Sequence, residues 1–399
     1  MISKLRSLYP EGSSRRIILM FILMNAFGFF ALSGPRGFII AFLEYEGFTA
    51  GTIGPMISMM AAFGIIGSFT IGFLCDKIGR IKPFYFVLMV MALFAAFVIY
   101  SWRPPPVIMF MAMAVMGMSL MTCVQLVDSW VLESGEAARQ AYGKARGAGA
   151  FGWALGLMTL GALVSALGYS AMPFISLAFA AIAFGIARKI PDARKTKHGK
   201  AISVKSLKEL FANYRYIYLL ITTFLIFGMV SAEWVLNSIK AAQLGTPVTF
   251  GIFAGTMAMI EVPFYALFGR IAKRFKITHI FAFGASVYIV RIALMGLAPS
   301  IGIMTLIALT NAFAYAPCYM CTKMLIDAEV PAHLKTTGQL IAAAVFSGLA
   351  GIVFPTAIGL IAGAVGLERA FFLLAGFAVV PFVLALIFVY IKASAEATS

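Results

Sequence analysis

The chain has 399 residues, of which 62% are hydrophobic and 12% charged, with a formal net charge of +16. A soluble domain averages roughly a quarter charged residues, so this chain lacks the polar side chains to cover itself in water. A soluble enzyme, a nucleic-acid binder and a secreted disulfide scaffold are excluded, and an all-helical membrane protein is expected.

A bilayer crossing takes about 20 apolar residues. Apolar runs between charged or turn-rich breaks lie near 17–43, 51–75, 83–101, 106–131, 146–167, 170–188, 215–242, 248–272, 277–297, 301–325, 336–363 and 367–391, which predicts twelve crossings. The first run is too long for a signal peptide and lacks a small-residue cleavage site, so it is expected to stay as a span. It carries Gly34-Pro35, a break that a membrane helix tolerates where neighbours or a cavity satisfy the freed backbone groups. The four cysteines, Cys75, Cys123, Cys318 and Cys321, lie in or beside apolar runs without metal or redox spacing and read as small core residues.

The basic residues cluster between spans. With the N-terminus in the cytoplasm, the loops holding Lys77, Arg80 and Lys82, Arg139 and Lys144, Arg270 to Lys276, and Lys335 all fall inside, while the other side keeps little beyond Arg103, Lys240 and Arg369. This is the positive-inside pattern, and it places both termini in the cytoplasm. The longest hydrophilic stretch, with Arg188, Lys189, Arg194, Lys195, Lys197, Lys200, Lys205, Lys208 and Arg215 against Asp192 and Glu209, divides the chain into nearly equal halves. The predicted organisation is a six-helix bundle over 1–188, a basic linker over 189–214 and a second six-helix bundle over 215–399. Repeated halves of this kind are the layout of a secondary transporter that binds its substrate near the membrane midplane.

After the second span comes Gly72-Phe-Leu-Cys-Asp76-Lys77-Ile-Gly79-Arg80. Asp76 is placed to accept from the backbone N–H groups of a nearby helix start, and the glycines allow a tight turn. This run resembles the signature loop of the major facilitator superfamily, Gly-x-x-x-Asp-(Arg/Lys)-x-Gly-Arg, with an echo lacking the acid at Gly269-Arg270-Ile-Ala-Lys273-Arg274. The resemblance implies that Gly72, Asp76, Gly79 and Arg80 form a gating motif, with Asp76 helping to hold the cytoplasmic side shut.

An ionisable group at bilayer depth costs about 2.5–3.5 kcal/mol on insertion scales, so each needs a partner or a wet cavity. Arg36, Asp128, Arg146, Glu233, Glu261 and Arg291 are such groups, with Lys240 and Lys323 nearer span ends. Asp128 shares a helix face with Gln125 and Met121, and Arg146 with Trp153 seven residues on. A carboxylate, a guanidinium and an aromatic ring suit a sugar or nucleobase; a structural Asp128–Arg146 pair is the alternative. The run from Tyr142 to Leu155, with Gly143-Lys144-Ala145-Arg146 and Gly152-Trp153-Ala154-Leu155, is similar to the fifth span of lactose permease and related oligosaccharide–proton symporters. The resemblance implies sugar contacts for Arg146 and Trp153, completed by a carboxylate eighteen residues before the arginine, which is Asp128.

In the second half Glu261 precedes Val-Pro263, with Tyr265 four residues on, and Arg291 lies where the symporters keep an arginine. The histidine–glutamate pair of those symporters is replaced by Asn311, Tyr315 and Cys318. Burial favours the protonated form of a carboxyl group and a nearby arginine the ionised form, so an acid whose cationic neighbour comes and goes can load and release a proton. Glu261 with Arg291 is the favoured carrier, Glu233 with Asn237 and Lys240 the other; a structural Glu233–Lys240 pair weighs equally. Arg36 either faces the cavity, making it net positive and suited to anions, or pairs with an acid such as Asp128.

The reading is a twelve-span secondary transporter in a bacterial inner membrane that moves a small polar solute, sugar-like, nucleoside-like or a small carboxylate, by alternating access, with no cofactor and with proton symport as the favoured energy source. The substrate contacts expected are Asp128, Arg146, Trp153, Arg36, Gln125, Asn311 and Tyr315. Proton-driven efflux of sugar-like or amphipathic compounds is the alternative. A monomer is expected, with no nucleic-acid partner. An enzyme is not, since His198, His279 and His333 all fall in or beside loops.

Overall fold

The computed structural model of the protein describes residues 11–193, 204–331 and 334–398. The middle of the basic linker, including Arg194, Lys195, Lys197, His198 and Lys200, lies outside the described residues, as does His333. Among the described residues every regular element is helical. Hydrocarbon offers no water to the backbone, so an apolar run that crosses it must bond its own N–H and C=O groups.

The first half runs α1 (Glu11–Gly37), α2 (Ile39–Tyr45), α3 (Ala50–Ile78), α4 (Lys82–Phe97) with a π turn (Val98–Trp102), α5 (Pro106–Glu133), α6 (Glu136–Gln140), α7 (Tyr142–Leu167) and α8 (Met172–Lys189). After α9 (Val204–Ala212) come α10 (Tyr214–Leu244), α11 (Pro247–Met259), α12 (Glu261–Arg274), α13 (Ile277–Leu297), α14 (Ile301–Ala308), α15 (Asn311–Glu329), α16 (Lys335–Ala343) with a π turn (Ala344–Leu349), α17 (Ala350–Val365) and α18 (Leu367–Thr398). Among the described residues eleven helices are long and apolar enough to cross a bilayer, and α14 with α15, bent by 42°, makes a twelfth if the pair is one span. The run expected over 301–325 is thus interrupted rather than continuous, and the break falls immediately before Asn311.

Two compact units emerge: Met1–Phe42 with Phe63–His198, and Leu43–Ala62 with Gly199–Ser399. In the first unit α1 and α7 pack backbone to backbone. Gly149, Gly152 and Gly156 form one face of α7, and a Cβ would strike the Phe29 ring, the Ala26 carbonyl and Ser33 Oγ respectively. Gly34 and Gly37 of α1 make room in turn for Leu160 with Met172 and for Leu157. Without a hydrophobic drive between helices in lipid, close approach through small residues supplies the packing. The glycines in the symporter-like run are therefore a packing seam. Gly64 and Gly67 of α3 likewise seat Met121 and Met118 of α5.

The end of α8 is tied to the start of α4. Asp192 accepts from the backbone N–H of Ile81 (3.1 Å) and Lys82 (2.9 Å) and pairs with Arg80 Nε at 3.0 Å. Lys82 Nζ donates to the Arg188 and Ile190 carbonyls, and Trp130 Nε1 to the Pro191 carbonyl. A carboxylate at a helix N-terminus is stabilised by the exposed N–H groups and the dipole. Asp192 is the carboxylate at the start of α4, and Asp76 lies on the exposed last turn of α3.

In the second unit, the Leu43–Ala62 segment packs on α17. Gly54 sits against the Pro355 carbonyl and Gly359 against the Ala50 carbonyl, with no room for a Cβ on either. Ser58 Oγ accepts from Thr356 N (3.1 Å) and Thr356 Oγ1 (2.8 Å). Lys240 Nζ donates to the carbonyls of Met295 and Gly296, closing the C-terminus of α13, where a cation meets orphan acceptors and the negative dipole end. At the opposite end of the unit Glu329 pairs with Lys392 and Asn213 donates to the Glu329 carbonyl. All four cysteines are buried thiols outside any disulfide.

If the α1–α7 seam holds the first unit together, Gly152→Val forces a side chain into the Ala26 backbone and lowers stability by about 1–3 kcal/mol, the usual cost of overpacking. Gly143→Val, on an open position of the same helix, is the control. Thermal unfolding of the two purified variants in one detergent measures the difference.

Candidate functional site

The second unit gathers a buried ionic network from four spans. Glu233 of α10 and Arg291 of α13 form an ion pair at 3.3 Å, with side chains only 3% and 1% exposed. Arg291 Nη1 also donates to Asn311 Oδ1 at 2.7 Å. Asn311 Nδ2 donates to Glu261 Oε1 at 2.7 Å and to the Met257 carbonyl at 3.3 Å. Tyr265 OH donates to Glu261 Oε2 at 2.8 Å, and Asn237 Nδ2 to Glu233 Oε1 at 3.1 Å.

The backbone explains how Glu261 and Asn311 come to meet. The span containing α11 and α12 turns at Ile260, and the span containing α14 and α15 at Leu309 and Thr310. Glu261 and Asn311 are the first residues after these turns. Pro263 cannot supply the N–H that would bond the carbonyl four residues back, which favours the first interruption. Each polar side chain thus emerges at a helix start, where a carboxylate is favoured. Both ends of the Asn311 amide are engaged, its oxygen by a cation and its nitrogen by an acid. That fixes its orientation and makes it a bridge between the Glu233–Arg291 pair and Glu261.

The partner assignments sharpen those read from the sequence. Arg291 pairs directly with Glu233 and reaches Glu261 through Asn311. Lys240, the other partner considered for Glu233, is committed to the α13 carbonyls. With both acids ionised the network holds two negative charges against one positive, so a single proton makes it neutral. Among the described residues, Arg291 Nε, Asn237 Oδ1 and Tyr288 OH are buried without a hydrogen-bond partner, and buried polar atoms of this kind mark room for a water or a change of state.

In the first unit, Arg146 and Trp153 both lie on the side of α7 that faces α1. The Arg146 guanidinium sits 4.8 Å from the centre of the Phe29 ring, and the Trp153 ring borders Gly37. Arg36, half-buried in the last turn of α1, is the neighbour of that glycine. The Arg146, Trp153 and Arg36 segments therefore run along one seam. On α5, Asp128 is half-buried and Gln125 exposed. Gly79, at φ +73°, turns the chain out of α3 in a conformation that favours glycine, and Arg80 follows it onto Asp192; Gly72 lies in the last third of α3.

Three residues escaped the sequence reading. Asp192 caps a helix 110 positions away in the chain, which no local pattern announces. Phe29 beneath Arg146 carries no polar signal. Tyr319, by contrast, follows Asn311 and Tyr315 at intervals of four and was legible as the next step of the same face.

The MFS_1 like family model matches residues 18–373. No curated protein matches the sequence. Among solved structures, the nucleoside transporter NupG superposes with a TM-score of 0.77 at 17% identity, over 94% of this chain and 98% of that one. The POT family transporter PepTSo gives 0.73 at 12% identity, over 96% and 99%. A bacterial homologue of the human lysosomal transporter Spinster gives 0.70 at 11% identity, over 95% and 97%. At these identities the likeness speaks for the fold.

The network predicts a strong asymmetry between single and double changes. Arg291→Met leaves Glu233 buried without its cation and destabilises by roughly 3–5 kcal/mol, whereas Arg291→Met with Glu233→Leu recovers most of the loss. A double-mutant cycle on thermal unfolding checks this; additive effects would remove the pair from the buried framework.

Proposed function

The chain belongs to the MFS_1 like family, and from that membership we propose that it is a proton-coupled secondary transporter for a small polar solute, working by alternating access. The observation that carries the reading is the buried Glu233–Arg291–Asn311–Glu261 network, which is neutral only when it holds one proton. A charge imbalance at bilayer depth is costly, so solute binding or a change in access that shifts Asn311 or Arg291 changes whether Glu261 keeps its proton. Glu261 is the carrier, Tyr265 and Asn311 orient it, and the Glu233–Arg291 pair sets the charge it feels.

We assign solute contacts to Asp128, Gln125, Arg146, Trp153 and Arg36 in the first unit and to Tyr315 in the second. Asn311, its amide already engaged at both ends, acts as the bridge more than as a solute contact. Sugar-like solutes, nucleosides and small carboxylates fit a set that mixes arginines, an aspartate and aromatic rings; nucleoside transport by the structural neighbour NupG is consistent with the second class. The loop from Gly72 to Arg80 is assigned a gating role, with both termini cytoplasmic by the distribution of Lys and Arg, in a bacterial inner membrane.

Proteoliposomes with an imposed proton gradient, screened against these three classes, test the reading. Wild-type protein accumulates its solute against a concentration gradient when protons run with it. Glu261→Gln keeps solute exchange but loses accumulation by about tenfold or more, as expected of a group that carries the coupling ion. Full accumulation by that variant would clear Glu261, and flux that reverses sign with the gradient would assign efflux.

A further inference from the structure

Beyond Asn311, one face of α15 carries Tyr315, Tyr319 and Lys323 at successive intervals of four residues. On a helix such residues stand one above the other, rising about 6 Å per step. The Tyr315 and Tyr319 rings are parallel within 13°, with centres 5.7 Å apart. Phe227 of α10 meets both edge-on, at 6.2 and 6.3 Å, and lies against Phe346 at 4.7 Å with the rings tilted by 35°. Phe346 is presented by the π turn Ala344–Leu349, a distortion found frequently at functional sites.

The exposures give this ladder a direction. Phe227 and Phe346 are buried behind it, while Tyr315 and Tyr319 are half-exposed and Lys323 is exposed. A purely structural aromatic cluster buries its rings; here the phenylalanines form the backing and the tyrosines the surface. Lys323 Nζ lies 4.5 Å from the centre of the Tyr319 ring. Among the described residues no acid forms an ion pair with Lys323, so the charge held against the Tyr319 ring is not neutralised by a carboxylate.

We propose that Tyr315, Tyr319 and Lys323 form a subsite for a planar aromatic solute that carries a carboxylate. The flat ring stacks on the tyrosines, and the carboxylate takes a charge-assisted hydrogen bond from the ammonium one turn further on. A single flexible ammonium matches a monoanion, whereas a phosphate is met more strongly by the fork of an arginine. The two middle positions of this face are aromatic rings, whose flat surfaces favour a planar solute. The inference rests on the transporter reading and narrows its solute to the aromatic carboxylates.

The probes are indole-3-acetate and its neutral counterpart indole-3-acetamide, titrated calorimetrically into the purified full-length protein. Wild type binds the acid about tenfold or more tightly than the amide, the scale of one hydrogen bond to a charged group. Lys323→Gln abolishes that preference without changing affinity for the amide, Lys323→Arg retains it, and Tyr319→Leu weakens both probes alike. Equal binding of acid and amide by wild type, an acid preference that survives Lys323→Gln, or no binding of either probe overturns the subsite. Proton-driven accumulation of a sugar or nucleoside under any of those results leaves the transporter reading standing, while the absence of gradient-driven flux for every solute class removes that reading itself.

Discussion

A guanidinium held 1% exposed in a membrane-spanning helix organises the second unit. Isolated in hydrocarbon, Arg291 would be expelled or would draw water to itself. Four spans converge on it instead: α10 supplies Glu233, α12 supplies Glu261 through Asn311 of α15, and α13 carries the arginine. The cost of burying charge is met by geometry, and the geometry in turn requires two helices to break where their polar residues must turn inward. Asn311 has a part that no apolar residue and no simple cation fills, since it accepts from a cation and donates to an anion at once.

The first unit is built by a different rule. Its seam between α1 and α7 is made of glycines whose backbones touch, and its charged side chains, Arg146 and Arg36, lie along that seam. Arg80, Lys82 and Asp192 close the end of the unit, where a helix start, a helix end and three charged side chains satisfy one another. The same arrangement of small residues recurs in the second unit where Gly54 and Gly359 cross. The chain thus depends on close helix approach in one place and on a buried charge network in another.

The membrane class and the spans were legible because they are written in local composition: hydrophobic runs of sufficient length have one backbone solution. The buried charges were legible for the same reason, as exceptions to those runs. Their pairing was not. Glu233 sees Lys240 two turns away on its own helix, yet its partner is Arg291, 58 positions distant, and helical periodicity reports only neighbours on one helix. Asp192 at the start of α4, 110 positions away in the chain, is a second long-range contact that no local pattern announces. The break before Asn311 leaves little trace, since Pro317 lies inside α15 and the residues at the turn, Leu309 and Thr310, are ordinary helix formers in a membrane. The run around Arg146 that resembles the oligosaccharide–proton symporters mixes two signals, a glycine packing seam and polar contacts, which sequence alone cannot separate.

The central claim is that a single exchangeable proton resides on this network and is carried by Glu261. Infrared difference spectroscopy of the carboxyl stretch, recorded between acid and alkaline buffer on protein in lipid, reads it directly. The account predicts a protonated-carboxyl band that disappears in Glu261→Gln and shifts in Asn311→Ala, as its hydrogen-bond partner is lost. A carboxyl band unaltered by both substitutions would contradict it.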